Sequence, residues 1–197
     1  MNQINALPSK RGILGVFMGL IALLAIVLLT GCASQKLATI VGGEYDATKD
    51  ATEYFVFPLG KTELPGKWEK GRFSQVSGQQ FFHNQDSNVV AVAFNRFDSY
   101  EFNQNGSLKG FDFIQGFYEW DSKYFENQGF TIQIIESNRE KNYIIYRVYD
   151  QEEDVYFLIS EKNGNVGNFS TCSTEKWTEN EKVAFLKTLL QEFTKDN

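Results

Sequence analysis

An apolar run from Gly12 to Thr30 is the feature that most constrains this chain, because it sets the N-terminal segment apart from any globular fold. A short polar lead precedes the run and carries the basic pair Lys10-Arg11 and no acidic residue. A basic lead, an apolar run and a small-residue site together make a secretory signal peptide. We therefore predict that residues 1–31 direct export and take no part in the folded domain.

The residues that close this run, Leu29-Thr30-Gly31-Cys32, resemble a bacterial lipobox, with an aliphatic residue three positions before a cysteine and small residues between them. The resemblance implies that Cys32 receives a diacylglyceryl group, that cleavage falls between Gly31 and Cys32, and that the new amine is acylated. Each buried methylene of an acyl chain contributes about 0.8 kcal/mol, so several chains hold a protein almost permanently. We predict that lipid on Cys32 binds the protein to a membrane.

A second interpretation of the same run is an uncleaved membrane-spanning helix. The run is about 19 residues long, near the minimum for crossing a bilayer, and Lys10-Arg11 would keep its N-terminus in the cytoplasm. Either anchor places the domain in the cell envelope. Ala33 follows the cysteine. In the common Gram-negative sorting rule an aspartate at that position retains a lipoprotein in the inner membrane, so we expect the outer membrane.

The charge of the exported chain is acidic. The whole chain has 19 basic and 25 acidic residues and a formal charge of −6. Removal of residues 1–31 takes away Lys10 and Arg11 and no acidic residue, which lowers the charge by two more. This balance argues against nucleic acid as a partner and against an electrostatic hold on anionic lipid. With lipid on Cys32, Cys172 has no partner in the chain, so we expect no internal disulfide.

After the cysteine the sequence divides into a tether and one domain. Residues 32–52 are mixed in composition and show no sustained periodicity, which indicates the lipidated cysteine followed by a flexible tether or by one edge strand. Residues 53–197 show the alternation and the continuous apolar runs that are typical of strands. Predicted strands lie at 54–57, 67–76, 79–83, 89–94, 131–136, 142–150, 155–160 and 166–171. Asn163-Gly164 predicts a type I′ hairpin turn between the last two.

Two amphipathic helices complete the pattern. The first has an aromatic stripe at helical spacing, formed by Phe113, Phe117, Trp120 and Tyr124. Gly129 stands where a left-handed C-terminal cap is needed. The second helix begins at a capping box formed by Thr178 and Glu181. Its apolar stripe consists of Val183, Leu186, Leu190 and Phe193.

The predicted fold class is α+β, with an antiparallel sheet packed by two helices. The element order, together with Leu64-Pro65-Gly66-Lys67-Trp68, the strand Tyr156-Phe157-Leu158-Ile159 leading into Asn163-Gly164, and the closing helix, resembles the PsbP-like α/β/α sandwich. That fold is also found in small envelope lipoproteins of the DcrB type. The resemblance implies no shared catalytic residues, and it implies a role as an accessory or assembly factor.

No motif of known catalytic chemistry is present in the sequence. His83 is the single histidine, which excludes a histidine-based zinc site, and the local sequence does not support His83 and Cys172 as base and nucleophile. The carboxylates at 150–154 lack the spacing of a calcium loop and indicate a solvated turn. We expect Glu119 and Asp121 to be exposed on either side of a buried Trp120. We therefore predict a protein that is not an enzyme and has no cofactor.

Three aromatic residues stand apart from the predicted strands and helices. Phe97, Tyr100 and Phe102 lie in the polar segment before the first helix. They form either a binding surface for a protein or a glycan, or apolar packing under the sheet edge. The leading hypothesis is a non-enzymatic accessory or assembly factor that binds an envelope protein. The alternative is a surface-exposed lipoprotein that binds polysaccharide or another small ligand, and an enzyme comes third.

Overall fold

A small antiparallel sheet opens the part of the chain, residues 39–195, that the computed structural model describes. Its strands are β1 (Ile40–Gly42), β2 (Tyr45–Asp46), β3 (Ala51–Phe57) and β4 (Gly60–Pro65). β3 is central, with β4 along one edge and with β1 and β2 in succession along the other. Gly43 separates β1 from β2 with a φ of +116°, and a Cβ there would collide with the Glu53 carbonyl, so this break requires glycine.

The folded domain starts near Ile40 rather than near Glu53. The sequence left open an edge strand in the segment before Glu53, and the structure has two short ones, β1 and β2. Ile40 lies opposite Phe57 in the register, and Tyr45 lies opposite Thr52. The predicted tether, which extends to residue 52, is therefore too long, because β1 and β2 already pair with β3 through backbone hydrogen bonds.

The other strands within residues 39–195 form one seven-stranded antiparallel sheet, the main sheet. They are β5 (Glu69–Phe73), β6 (Gln80–His83), β7 (Val89–Arg96), β8 (Thr131–Asn138), β9 (Tyr143–Tyr149), β10 (Asp154–Lys162) and β11 (Asn165–Ser173). Their spatial order is β5-β6-β7-β11-β10-β9-β8. Asn163 and Gly164 join β10 to β11 with φ values of +54° and +83°. Positive φ at both positions is what a type I′ turn needs, so the predicted hairpin is confirmed.

The edge strands of the main sheet are both irregular. β5 pairs with β6 through a register shift between Lys70 and Phe73, and β8 pairs with β9 through another between Ile134 and Glu136. Each shift bends the outer strand away from a straight edge.

Two helices in the described part of the chain, α1 (Gly110–Asn127) and α2 (Glu179–Thr194), cover opposite faces of the main sheet. α2 begins at the predicted capping box: the Thr178 amide donates to the Glu181 carboxylate at 2.7 Å, and the Glu181 amide donates to the Thr178 hydroxyl at 3.3 Å. Gly129, with a φ of +93°, follows the end of α1 as predicted. The predicted class, α+β with an antiparallel sheet packed by two helices, is confirmed.

Each face of the main sheet has its own hydrophobic cluster. α2 and the small sheet share one face, where Tyr54 contacts Phe82 and Phe94 and the Thr62 hydroxyl donates to the Leu189 carbonyl at 3.0 Å. α1 packs on the other face against β8, β9 and β10. The β5–β7 side of that face lies beyond α1. No helix among residues 39–195 has the length and apolar character needed to cross a membrane.

Candidate functional site

The predicted anchor lies outside the described residues. Gly31 and Cys32, the predicted cleavage and lipidation sites, precede Thr39, where the described part begins. Cleavage, lipidation and membrane attachment therefore remain predictions from the sequence.

The segment that carries Phe97, Tyr100 and Phe102 consists of two 3₁₀ turns held by one buried asparagine. The side-chain nitrogen Nδ2 of Asn103 donates to the carbonyl oxygens of Phe97 at 3.1 Å and Leu108 at 3.0 Å. The Asn103 side-chain oxygen accepts from the Leu108 amide at 2.9 Å. Asn103 is fully buried, so these three bonds satisfy a side chain that would otherwise destabilise the fold. They also fix the loop, and with it the positions of the three aromatic rings.

The three rings pack on α1 rather than under the sheet edge. The ring centroids of Tyr100 and Phe117 lie 5.2 Å apart, and Phe102 stacks on Phe113 at 5.3 Å. The three are half-buried and join the hydrophobic cluster of α1. Gly116 makes room for this packing, because a Cβ there would lie 3.2 Å from the Phe102 ring. The loop aromatics thus serve mainly as packing, and each keeps part of its surface in solvent.

An exposed aromatic surface continues from these rings along α1. Trp120 is 39% exposed and Tyr124 is 58% exposed, and residues four apart on a helix are neighbours on one face. The Trp120 ring lies 5.8 Å from Phe102 and 6.3 Å from Tyr100, between centroids. We call Phe102, Trp120 and Tyr124 the aromatic ridge. Tyr100 packs between this ridge and the core.

The prediction of a buried Trp120 between two exposed carboxylates is wrong. The residues of α1 that are buried are Phe113, Ile114, Phe117 and Ser122. The face that meets the sheet is therefore rotated from the predicted stripe, so that Asp121 turns inward and Trp120 turns outward. A second apolar stripe, through Ile114, Tyr118 and Phe125, was the missed signal. α1 carries more apolar side chains than the sheet covers, and the uncovered ones, Trp120 and Tyr124, belong to the ridge.

The inward-facing carboxylate of α1 meets a buried tyrosine of β9. The Tyr146 hydroxyl donates to Asp121 at 2.5 Å. Burial raises the pKa of Asp121 from 3.8 to about 6, and the bond from Tyr146 offsets only part of that effect. Burial and the neighbouring Asp121 charge raise the pKa of Tyr146 well above 10. At neutral pH Asp121 is therefore a negative charge under the helix, and this charge is near enough to Tyr100 to raise the pKa of its hydroxyl.

His83 and Cys172 border one depression on the uncovered part of the α1 face. The depression has a volume of about 510 Å³. His83 is exposed at the end of β6, and the nearest polar group to the Cys172 sulfur is the Ser170 hydroxyl at 3.5 Å. Burial raises the pKa of the Cys172 thiol, which disfavours the nucleophilic thiolate. The fold brings the two residues to the same surface but leaves the thiol unactivated.

The acidic turn between β9 and β10 has a structural role at both ends. The Asp150 carboxylate accepts from two backbone amides of the turn, each at 2.8 Å. Asp154 is not a free solvated charge, because it accepts from Arg147 at 2.6 Å and from Lys182 at 2.8 Å. The residues between them are exposed, as predicted for the turn. Among residues 39–195, no group of three or more histidine, cysteine, aspartate and glutamate side chains is arranged to hold a metal ion.

Comparison with known proteins gives likenesses to solved structures only. No family model and no curated protein matches the chain. The solution structure of cyanobacterial PsbP (CyanoP) from Synechocystis sp. PCC 6803 is similar over 84% of this chain and 98% of its own, with 16% sequence identity and a TM-score of 0.40. It carries the name of the family that the sequence resembles. A likeness at this level says nothing about what the chain binds.

Proposed function

We propose that this protein is a non-enzymatic, lipid-anchored cell-envelope protein that acts by binding a partner protein through the aromatic ridge. The observation that carries the proposal is the exposure of Trp120 and Tyr124 on a helix whose other side is firmly packed. Tryptophan and tyrosine are the residues most enriched among those that dominate protein–protein binding energy. The lipobox-like sequence ending at Cys32 supports the anchor.

The shape of the ridge favours a protein over a saccharide or another small ligand. Small-ligand sites are concave and enclose most of the ligand surface. The ridge lies on the outer side of a helix, and its residues line none of the depressions of about 580, 550 and 510 Å³ found among residues 39–195. A raised aromatic surface fits a complementary groove in another protein. The polysaccharide-binding alternative would have to use a cavity of about 580 Å³ that Phe55, Phe57 and Phe193 help to line, and no residue of the ridge borders that cavity.

The described residues also supply no arrangement that favours catalysis. Cys172 and His83 are the nearest approach to a nucleophile and base, and burial keeps the thiol protonated. Asp121 has a raised pKa, but its carboxylate is directed at the Tyr146 hydroxyl within the core rather than into a cleft. These observations support binding rather than chemistry as the mode of action.

Site-specific photo-crosslinking in cells tests the proposed surface. Benzoylphenylalanine in place of Tyr124 should give a discrete adduct with an envelope protein. The matched control is the same residue in place of Gln85, which is exposed in the turn between β6 and β7, on a part of the sheet that α1 does not cover. Equal adduct patterns from the two positions would refute the ridge as the binding surface.

A pair of substitutions on α1 separates binding from folding. Trp120→Ala should weaken the crosslink from Tyr124 by tenfold or more, since an aromatic anchor contributes about 2 kcal/mol or more to an interface. Lys123→Ala, an exposed neighbour, should leave the crosslink unchanged. Both variants should retain their melting temperature within a few degrees. If Trp120→Ala keeps a full crosslink yield, the ridge does not carry the binding energy.

A further inference from the structure

The start of β1 restricts where the domain can lie relative to an anchor at Cys32. Ile40 is eight residues beyond Cys32 in the sequence. A chain advances at most about 3.5 Å per residue, which limits the reach to about 28 Å, and a flexible coil of that length spans about 15 Å. The end of the domain that contains β1 is therefore held next to whatever surface the acyl chains occupy.

This end of the domain exposes large apolar side chains. Ile40 and Phe57 are each 60% exposed and Val41 is 57% exposed. Ile40 and Phe57 lie directly opposite each other across β1 and β3, so their side chains share one face of the small sheet. We call Ile40 and Phe57 the β1 patch, because Val41 follows Ile40 in the strand and points to the opposite face. Apolar side chains gathered at one place on a soluble surface mark a site of contact with another apolar phase.

A cavity with basic residues adjoins the β1 patch. Its volume is about 580 Å³, and its lining includes the apolar residues Ile40, Phe55 and Phe57 together with Lys61, Lys162 and Lys195. The Lys162 ammonium donates to the carbonyl oxygens of Thr194 and Lys195, each at 2.7 Å, which fixes this charge at the C-terminal end of α2. Glu53 lines the same cavity and the Lys195 ammonium pairs with Glu192, so the exposed Lys61 is the lysine of this lining best placed to meet an anionic group.

We infer that the β1 patch rests in the interfacial layer of the lipid bilayer, with Lys61 facing lipid phosphates. The inference rests on the proposed lipid anchor at Cys32. A lipid surface is the occupant because the tether holds the patch beside one, and because apolar side chains rimmed by lysine match the layering of acyl chains below phosphates.

The inference also orients the domain. β10 runs from Asp154 to Lys162 over nine residues, which corresponds to about 30 Å. Lys162 lies beside the cavity, so the turn before Asp154 points away from the membrane. The α1 helix begins beside the same end, where the Gly110 amide donates to Glu161 at 2.8 Å. Tyr124, near the far end of α1, is then raised above the bilayer, where a partner protein can reach it.

Quenching by lipid-borne nitroxide tests the contact on the full lipidated protein. A fluorescent maleimide is attached at Phe57→Cys, at Ile40→Cys or, as the control, at Glu152→Cys in the far turn, each in a Cys172→Ala background. The proteins are reconstituted into phosphatidylcholine vesicles containing phosphatidylglycerol and a headgroup-region nitroxide lipid. We expect the labels at positions 57 and 40 to lose more than half of their fluorescence and the label at 152 to lose almost none. Equal quenching at all three positions would overturn the inference.

Two further measurements keep the outcomes distinct. Vesicle flotation and the intact mass report the anchor itself: a protein that floats and carries lipid but shows no quenching at 57 and 40 retains the anchor and refutes the contact. A protein without lipid refutes the anchor. Lys61→Glu should reduce quenching at position 57 severalfold on vesicles with phosphatidylglycerol and have little effect on phosphatidylcholine alone. Quenching at 57 that is insensitive to Lys61→Glu on both vesicles would overturn the role of Lys61.

Discussion

Replacement of Asp121 by asparagine should stabilise the fold at neutral pH, although it removes a charged hydrogen-bond acceptor. Asp121 is turned toward the sheet under α1, and burial raises its pKa from 3.8 to about 6. When this carboxylate is ionised at pH 7, its burial destabilises the charged form and so lowers the free energy of unfolding. Asparagine keeps an oxygen that accepts the bond from Tyr146 and carries no charge to desolvate.

The sign of the pH dependence follows from the direction of this shift. Because the folded-state pKa is raised, the folded protein binds a proton as the pH falls through about 6, while the unfolded chain does so only near 3.8. This group therefore adds stability as the pH falls between those two values and loses it as the pH rises. A tenfold change in proton affinity corresponds to about 1.4 kcal/mol, so the full effect is about 3 kcal/mol. A neutral amide is a weaker acceptor than a carboxylate, so we expect a net gain of about 1–2 kcal/mol at pH 7.

Urea unfolding of the wild type and of Asp121→Asn at about pH 7 and about pH 5 measures both quantities. The variant should unfold at higher urea at pH 7, and the difference between the two proteins should shrink at pH 5 as the wild-type carboxylate takes up its proton. Asp112→Asn is the matched control, because Asp112 lies on the same helix with its side chain 70% exposed. The reasoning is refuted if Asp121→Asn is less stable than the wild type at pH 7, or if its advantage is the same at both pH values.

Three further predictions concern the anchor and the core. Cys32→Ser should abolish fatty-acid labelling and leave a longer precursor, and a mature-sized product by mass spectrometry would contradict the lipobox interpretation. Leu190→Ala should cost about 2–5 kcal/mol of unfolding free energy, because Leu190 is 6% exposed. Lys187→Ala should cost under 1 kcal/mol, and equal melting temperatures for the two would show that α2 does not pack as described. Asp154→Ala should lower the free energy of unfolding by about 2 kcal/mol, because it leaves the buried Lys182 ammonium without its ion-pair partner. Glu152→Ala, the control, should change the melting temperature by about a degree or less. Similar losses of stability in both variants would exclude the ion pair as the cause.

Features that depend on a few neighbouring residues were predictable from the sequence. The Asn163-Gly164 hairpin and the Thr178 capping box each follow from local chemistry: positive φ in one case and reciprocal hydrogen bonds at a helix start in the other. The fold class follows from strands joined by such hairpins and from two amphipathic helices. Long-range packing changed none of these.

Features that depend on long-range packing, such as which face of a helix the sheet covers, were not predictable from the sequence. α1 carries two apolar stripes, and the spacing of Phe113, Phe117, Trp120 and Tyr124 does not reveal which one the sheet covers. β4 was not predicted because its inward-facing residues include the polar Thr62. The Thr62 hydroxyl donates a hydrogen bond to a carbonyl of α2 instead of to water. An edge strand before Glu53 was left open, but β1 could not be located because its exposed Ile40 and Val41 do not alternate with polar residues. The candidate surface was therefore located only in part: Phe102 belongs to the ridge, but the exposed Trp120 was expected inside.

The two irregular edges of the main sheet have a consequence under the proposed lipid anchor, which would place many copies of the protein on one membrane. Molecules held on one surface meet repeatedly in similar orientations, and a straight outer strand would find the same strand on each neighbour. The register shifts at Lys70–Phe73 and Ile134–Glu136 break the row of free amides and carbonyls that such pairing needs. Dense arrays of the protein can then remain collections of separate molecules instead of growing into fibres.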